Sequence, residues 1–229
     1  VSADQIFDLI KIPNLTLHKL ENKNSLAYLK PTKDFFVGSS SENVSCKKNQ
    51  SQNFNEKYLE AQKGFNKYND DFFRKIKLKY IVLCSELEIA GIPALGFANP
   101  EMKTLIFNIN TNNSNFERVL HHEVFHIIEH NFNKYFLNIS WSDLNSKEFK
   151  YSACSTCSNN YSLEKIYNSK GFVSEYAKST ISEDMAETFS FMMSDNNLIL
   201  DMIIKDEILN KKVKLIENLV NKLDAKHQF

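Results

Sequence analysis

The stretch His-His-Glu-Val-Phe-His at residues 121–126 contains side chains that could bind a metal ion. Read from His122, it has the pattern His-Glu-x-x-His. On a helix, four residues turn about 400°, so the imidazoles of His122 and His126 project from one face about one turn apart. At that separation two imidazole nitrogens can bind one zinc ion at about 2.0–2.1 Å each. Glu123 lies one step round the helix, where its carboxylate could take a proton from a water on the metal.

A catalytic zinc site needs a third protein ligand. His130 is too far away, because eight residues of helix place it about 12 Å along the axis from His122. His121 points to another side of the helix, and for both histidines we favour solvation or local hydrogen bonding over metal binding. The metzincin arrangement, in which a glycine and then a third ligand follow soon after the histidine pair, is excluded because Glu129 and Phe132 hold those places. The third ligand must come from another part of the chain.

A second predicted helix, at residues 182–193, offers acidic candidates. Glu183 and Glu187 are four residues apart and share a face. Two carboxylates on a partly buried face are destabilising unless a cation lies opposite, and one zinc ion with its histidines would provide that cation. We expect Glu183 to be the third ligand and Glu187 to hold the outer N–H of a zinc-bound histidine. Asp184 lies off that face and is expected to be exposed. A solvated acidic face without a metal is the alternative.

The segments "HHEVFH", "GFVSEYAKSTISEDMAETFSFMM" and the intervening "WSDLN…FKY" together resemble zinc-binding metallopeptidases of the gluzincin type. They are also similar to the catalytic domain of anthrax lethal factor and of the Pro-Pro endopeptidases, over about residues 78–220. In that group the zinc helix is followed by a Ser-x-Tyr-[Gly/Ala] segment and then by the glutamate ligand, at the spacing that separates Tyr176 from Glu183 here. The resemblance implies that Tyr176 stabilises the oxyanion of the tetrahedral intermediate and that Glu187 is the second acidic residue of the site. The glycine usual in that family after the tyrosine is Ala177 here, and Cys154-x-x-Cys157 has no counterpart.

The helices and strands that would position these residues can be predicted from the sequence pattern, and together they indicate an α+β fold. We expect a small mixed or antiparallel sheet packed on the zinc helix, with a mostly helical C-terminal half, as in zincin-like proteins. The predicted strands are 15–20, 26–30, 78–84, 94–98 and 104–110, and the predicted helices are 54–76, 115–131, 182–193 and 198–224. Residues 38–53 are expected to form a polar loop and 133–170 a long surface excursion. The aromatic residues of 54–76 fall at core spacing and are expected to pack. Residues 1–76 should form an N-terminal subdomain, and 77–229 the catalytic domain.

The overall composition, the four cysteines and the first residue limit the kinds of function that we expect of this protein. Lys and Arg number 28 and Asp and Glu 28, so no global field would draw the chain to nucleic acid or to an anionic membrane. No apolar run approaches the roughly 18–20 residues that span a bilayer. The chain begins with Val1, so we expect a signal peptide or larger N-terminal part to have been removed, and the protein to be secreted or exported. Four cysteines allow three pairings if all are oxidised. We expect Cys84 to act as a buried hydrophobe and Cys154 and Cys157 to form a disulfide or remain free thiols.

These observations predict a zinc metalloendopeptidase that binds one Zn²⁺ per chain and acts on a peptide or protein. A peptide is expected to lie along an exposed edge of the 104–110 strand. The first alternative is a non-catalytic binding module that kept the fold and the metal. The second is a carboxylate-bridged di-iron bundle, which would need a Glu-x-x-His element on each of two helices. Only Glu123-x-x-His126 has that pattern, and strands precede it.

Overall fold

A computed structural model of the chain describes residues 15–17, 24–38, 43–48, 54–111, 113–136, 140–155 and 169–225. The chain divides into two compact units, residues 1–127 and 128–229. All nine strands of the described residues belong to the first unit, and the second is mostly helical. This is the α+β fold predicted from the sequence. The predicted boundary between residues 76 and 77 stays a prediction.

Within its described residues, the first unit contains three helices and two sheets. Its helices are α1 (Phe54–Phe65), α2 (Phe72–Lys75) and α3 (Asn113–Asn131), the last of which continues into the second unit. Its strands are β1 (Leu15–Leu17), β2 (Ala27–Pro31), β3 (Phe35–Gly38), β4 (Asn43–Cys46), β5 (Tyr80–Cys84), β6 (Leu87–Ile89), β7 (Ile92–Pro93), β8 (Gly96–Asn99) and β9 (Thr104–Asn108).

The larger sheet has the strand order β1-β2-β5-β9-β8. Its centre is parallel, because β5 pairs in parallel with both β2 and β9, while β8 pairs antiparallel with β9. Every residue of β5 is buried, as expected for a central parallel strand covered on both faces. The prediction that the 104–110 strand offers an exposed edge is wrong, because β9 is paired on both sides. Among the described residues, the edge on that side is β8.

The smaller sheet, in the order β3-β4-β6-β7, is antiparallel throughout. Residues 38–53 were predicted to be a polar loop, but β4 lies within them. It pairs with the preceding strand β3 and with β6, which lies about 40 residues further along the chain, so the polar composition of the segment misled the local prediction. Cys46 of β4 forms a disulfide with Cys84 of β5, and both cysteines are fully buried. The prediction that Cys84 acts only as a buried hydrophobe is therefore wrong, although its burial was predicted correctly.

The predicted helix over 54–76 is interrupted. The segment between α1 and α2 folds as turns that include Asn66 and Asn69, a residue type that favours leaving a helix. The aromatic residues of the segment pack as predicted. The Phe65 ring, for example, contacts Tyr28 of β2, Phe73 of α2 and Phe107 of β9 at centroid distances of 5.6–6.5 Å.

The second unit contains α4 (Ile181–Ser194), α5 (Asn196–Lys205), α6 (Glu207–Leu223) and short 3-10 helices at Asn133–Tyr135, Ser142–Leu144 and Tyr176–Lys178. The helix predicted over 198–224 is split, because the Asp206 side chain accepts a hydrogen bond from the Leu209 N–H at 3.0 Å and begins a new helix there. None of the helices in the described ranges is long and apolar enough to cross a membrane.

Residues 133–170 are not simply the surface excursion that was predicted. Trp141 lies within them and is 1 % exposed, so this segment contributes to the core of the second unit. Cys154 is disulfide-bonded, consistent with one of the two states predicted for it. Cys157 lies outside the described residues.

Candidate metal centre

Helix α3 places His122 and His126 side by side. Their Nε2 atoms are 3.1 Å apart and their ring centroids 4.8 Å apart. Two ligands of a tetrahedral zinc ion with bonds of about 2.05 Å are separated by roughly 3.3 Å. The distance between the two nitrogens therefore fits a shared zinc ion, and the helical spacing of the sequence motif is realised in the structure.

Apolar burial fixes the direction of this histidine pair. Phe116, Leu120 and Val124 on α3 are each 0 % exposed, and the Phe116 ring meets Phe107 of β9 at a centroid distance of 6.0 Å. A helix held by these side chains cannot rotate about its axis without exposing them to water. Its histidine face is therefore fixed by its hydrophobic face.

Glu123 is nearly buried, with 8 % of its surface exposed. Its side chain lies against Gly96 of β8. A carboxylate in such a position has little freedom, which suits a group that must accept a proton at one place.

Helix α4 begins at the expected acidic segment. Thr180 is its N-cap, and the Thr180 hydroxyl accepts a hydrogen bond from the Glu183 N–H at 3.2 Å. Glu183 lies in the first turn and is half-buried. The cap therefore fixes the backbone of the residue predicted to be the third ligand.

The structure brings the three predicted ligands together. His122, His126 and Glu183 each offer one ligand atom, and these atoms all lie within 4.8 Å of one another. Two imidazoles and one carboxylate are a known ligand set for catalytic zinc, which keeps a fourth position open for water or substrate. The donor chemistry fits zinc. That each of these residues binds the metal stays a prediction.

Ser174 is a residue of this region to which the sequence analysis gave no role. Its hydroxyl donates to Glu187 Oε2 at 2.5 Å and accepts the Ala177 N–H at 3.1 Å. Glu187 is 1 % exposed, so Ser174 joins a buried carboxylate of α4 to the 3-10 helix that begins with Tyr176. The Ser-x-Tyr spacing was the available signal for this contact. The expected roles of Glu187 beside a histidine and of Tyr176 toward substrate stay predictions.

Asp184 is buried, contrary to the prediction that it is exposed. It is 0 % exposed, and its Oδ2 accepts hydrogen bonds from Trp141 Nε1 at 2.8 Å, from the Tyr151 hydroxyl at 2.5 Å and from Lys212 Nζ at 2.6 Å. Lys212 is also 0 % exposed and donates to the Gly171 carbonyl at 2.7 Å. Burial raises the pKa of Asp184 and lowers that of Lys212, while the attraction between the two opposes both shifts.

The other two histidines of α3, His121 and His130, have the roles predicted for them, which were local hydrogen bonding or solvation. The Tyr68 hydroxyl and His121 Nδ1 form a hydrogen bond of 2.7 Å in the core. Burial lowers the pKa of His121, which favours its neutral form. His130 is exposed to solvent.

Comparison with known protein families gives the class to which the chain belongs. The chain belongs to the family described as "putative zinc-binding metallo-peptidase", whose model matches residues 55–229. The match begins earlier than the resemblance seen in the sequence, and it takes in α1 as well as both motifs. No curated protein matches the chain.

Proposed function

We propose that the chain is a zinc-dependent endopeptidase of the gluzincin type, with one Zn²⁺ bound by His122, His126 and Glu183. The observation that carries this proposal is the grouping of these three donors within 4.8 Å, two of them on a His-Glu-x-x-His helix. Membership of a zinc-binding metallopeptidase family supports it.

Each neighbouring side chain then has a distinct task. A bound zinc supplies a water of lowered pKa and polarises the scissile carbonyl. Glu123 accepts a proton from the attacking water and passes it to the leaving amine. The Tyr176 hydroxyl donates a hydrogen bond to the oxyanion. Glu187 orients a histidine ligand through the outer ring N–H.

The substrate proposed is an extended peptide that adds to β8. A strand at the end of a sheet presents unpaired backbone N–H and C=O groups, with which a peptide can pair. β8 ends the strand order of the larger sheet within the described residues, and its first residue, Gly96, lies against Glu123. A peptide on this edge would pass close to the proposed base.

We also propose that the protein is exported or secreted. The disulfide between Cys46 and Cys84 supports this, as does the disulfide at Cys154, because such bonds persist in oxidising compartments.

The test combines metal analysis with a peptide-library digest. Protein purified without chelator should contain close to one equivalent of zinc and cleave peptides internally. The His122→Ala and His126→Ala variants should lose the zinc. Glu123→Gln should keep the zinc, while turnover falls by a factor on the order of 10² or more, because the amide cannot act as a base.

Glu101→Gln is the matched control, since Glu101 is exposed and its loss should change neither zinc nor turnover. Full zinc occupancy without cleavage by the parent protein would support the non-catalytic binding module instead. Zinc retained after both histidine changes would contradict the proposed ligands.

A further inference from the structure

Gly96 lies where any side chain would collide with the proposed base. A Cβ built on Gly96 would be 2.7 Å from Glu123 Cγ, 2.8 Å from Glu123 Oε1 and 2.9 Å from Val119 Cγ1. Non-bonded carbon atoms normally approach to about 3.5–4.0 Å. Even a methyl group would overlap the Glu123 side chain by close to an ångström.

The backbone does not require glycine at this position. The described glycines with positive φ are Gly38, Gly91 and Gly171, so Gly96 has a conformation open to other residues. What glycine provides here is space: β8 approaches α3 so closely that the Glu123 side chain occupies the volume of the missing Cβ. Glycine inside a strand often marks such a close approach.

Strand β8 has limited freedom to retreat. Gly96 is in register with Phe107 of β9, which is fully buried. Just before it, the Leu95 carbonyl accepts the Asn108 N–H at 2.9 Å. The groups that would have to move in a collision are therefore the side chains on α3, Glu123 first and Val119 with it.

We infer that Gly96 is a positioning residue for the proposed reaction: its lack of a side chain sets where the Glu123 carboxylate stands. This inference rests on the proposed function. A displacement of about 1 Å at a reacting group can lower a rate by about 10²-fold. An added methyl group would act on Glu123 and leave the histidine pair on its own face of α3.

The activity test is Gly96→Ala in the zinc-loaded protein. The kcat should fall by about 10²-fold, with KM within a few-fold of the parent and zinc content unchanged. Gly64→Ala is the matched control. Gly64 also faces α3, where its Cβ would be 3.0 Å from Leu120 Cδ1 and away from Glu123, so kcat should stay within about twofold.

A second measurement needs neither zinc nor substrate. In the metal-free protein, Gly96→Ala should lower the Tm by about 3–10 °C, as overpacking does. In the Glu123→Ala background, which removes the colliding atoms, the same change should lower the Tm much less. The same pair of measurements in the Val119→Ala background shows how much of the effect belongs to Val119.

These results separate the inference from the function on which it rests. No cleavage by the zinc-loaded parent defeats the proposed function, and the thermal cycle still tests the contact. An active parent with an equally active Gly96→Ala variant defeats the inference alone. Loss of zinc from Gly96→Ala, or an equal fall in Tm in both Glu123 backgrounds, would also overturn it.

Discussion

At the scale of single residues, two glutamates of α4 lie in different surroundings. Glu183 is half-buried and belongs to the group with His122 and His126. Glu187 is 1 % exposed and accepts the hydroxyl of Ser174. A carboxylate of the first kind can bind a metal directly, whereas one of the second kind can hold other groups in place.

The two glutamates should therefore fail differently when removed. Glu183→Ala leaves two histidines, which cannot hold zinc tightly, so this variant should be nearly metal-free. Glu187→Ala should weaken zinc affinity or activity by roughly 10–100-fold and still bind zinc when it is supplied. Zinc affinity measured for both variants side by side decides the matter.

Glu187→Gln, which keeps the volume of the buried side chain, controls for a general loss of packing. If Glu187→Ala lost the metal while Glu183→Ala kept it, the metal ligand would be Glu187, one helical turn further along α4 than proposed. If neither change touched zinc, the acidic face would be a solvated one without a metal.

Residue-level prediction succeeded where the relevant geometry is local. The spacing of His122 and His126 follows from the helical period alone, so the sequence predicted their convergence. Asp184 could not be predicted in that way. Its burial depends on Trp141 and Lys212, which lie 43 and 28 residues away and carry no periodic signal toward it.

At the scale of elements, Asp184 and Lys212 connect α4 to α6 inside the second unit. The Lys212 ammonium bonds the Asp184 carboxylate and the Gly171 carbonyl, and it stands 4.0 Å from the centroid of the Phe172 ring. The turn at residues 169–173 and the first turn of α4 therefore share one buried cation. Glu183, the proposed ligand, is in that first turn. The network therefore also holds the backbone of Glu183 in place.

Breaking this pair should be strongly destabilising. Lys212→Met keeps most of the side-chain volume and leaves the Asp184 carboxylate buried without its cation. The free energy of unfolding should fall by about 3–5 kcal/mol. Denaturant titration followed by circular dichroism would measure it.

Lys211→Met is the matched control on the same helix. Lys211 pairs with Glu207 at the surface, and its loss should leave the unfolding free energy nearly unchanged. Adding Asp184→Asn to Lys212→Met removes both charges and should restore part of the loss. Equal stability of the Lys211 and Lys212 variants would show that the buried pair does not hold α4 to α6.

The positions of the long helices were predicted better than the points at which helices begin and end. The predicted helix at 115–131 corresponds to α3 and the one at 182–193 to α4, because an apolar periodicity runs through both. Apolar residues continue at helical spacing across Asp206, so periodicity alone could not show that its side chain caps α6. The strand β4 was missed because its stability comes from pairing with β3 and β6, not from its own composition.

At the scale of the whole molecule, strand order decides which backbone is available to a substrate. The sequence predicted the hairpin that became β8 and β9, but not that β5 pairs with the other side of β9. The parallel pairing of β5 with β9 joins strands that are not consecutive in the chain, so the local hairpin pattern of the sequence cannot reveal it. The edge proposed for substrate is consequently β8 rather than β9, and the first residue of β8, Gly96, lies against Glu123.

The disulfide between Cys46 and Cys84 is a covalent link between the two sheets of the first unit. It joins β4 of the smaller sheet to β5 at the centre of the larger one, across 38 residues of sequence. Closing a loop of that length in the unfolded chain is worth about 4 kcal/mol on a chain-entropy estimate, although measured values run from about 2 to 4 kcal/mol. Much of the stability of the two sheets therefore depends on oxidation.

Replacing both cysteines, as Cys46→Ala with Cys84→Ala, should lower the free energy of unfolding by about 2–4 kcal/mol. Because both sulfurs are fully buried, paired substitution is a cleaner test than adding reductant to the folded protein. The denaturation midpoint of the double variant should fall, while zinc content and turnover at low temperature should persist, since neither cysteine is among the proposed ligands. Lys33→Ala with Lys63→Ala, two changes at exposed residues outside this bridge, controls for double substitution in the same unit. A double cysteine variant as stable as the parent would show that the two sheets hold together without the bond.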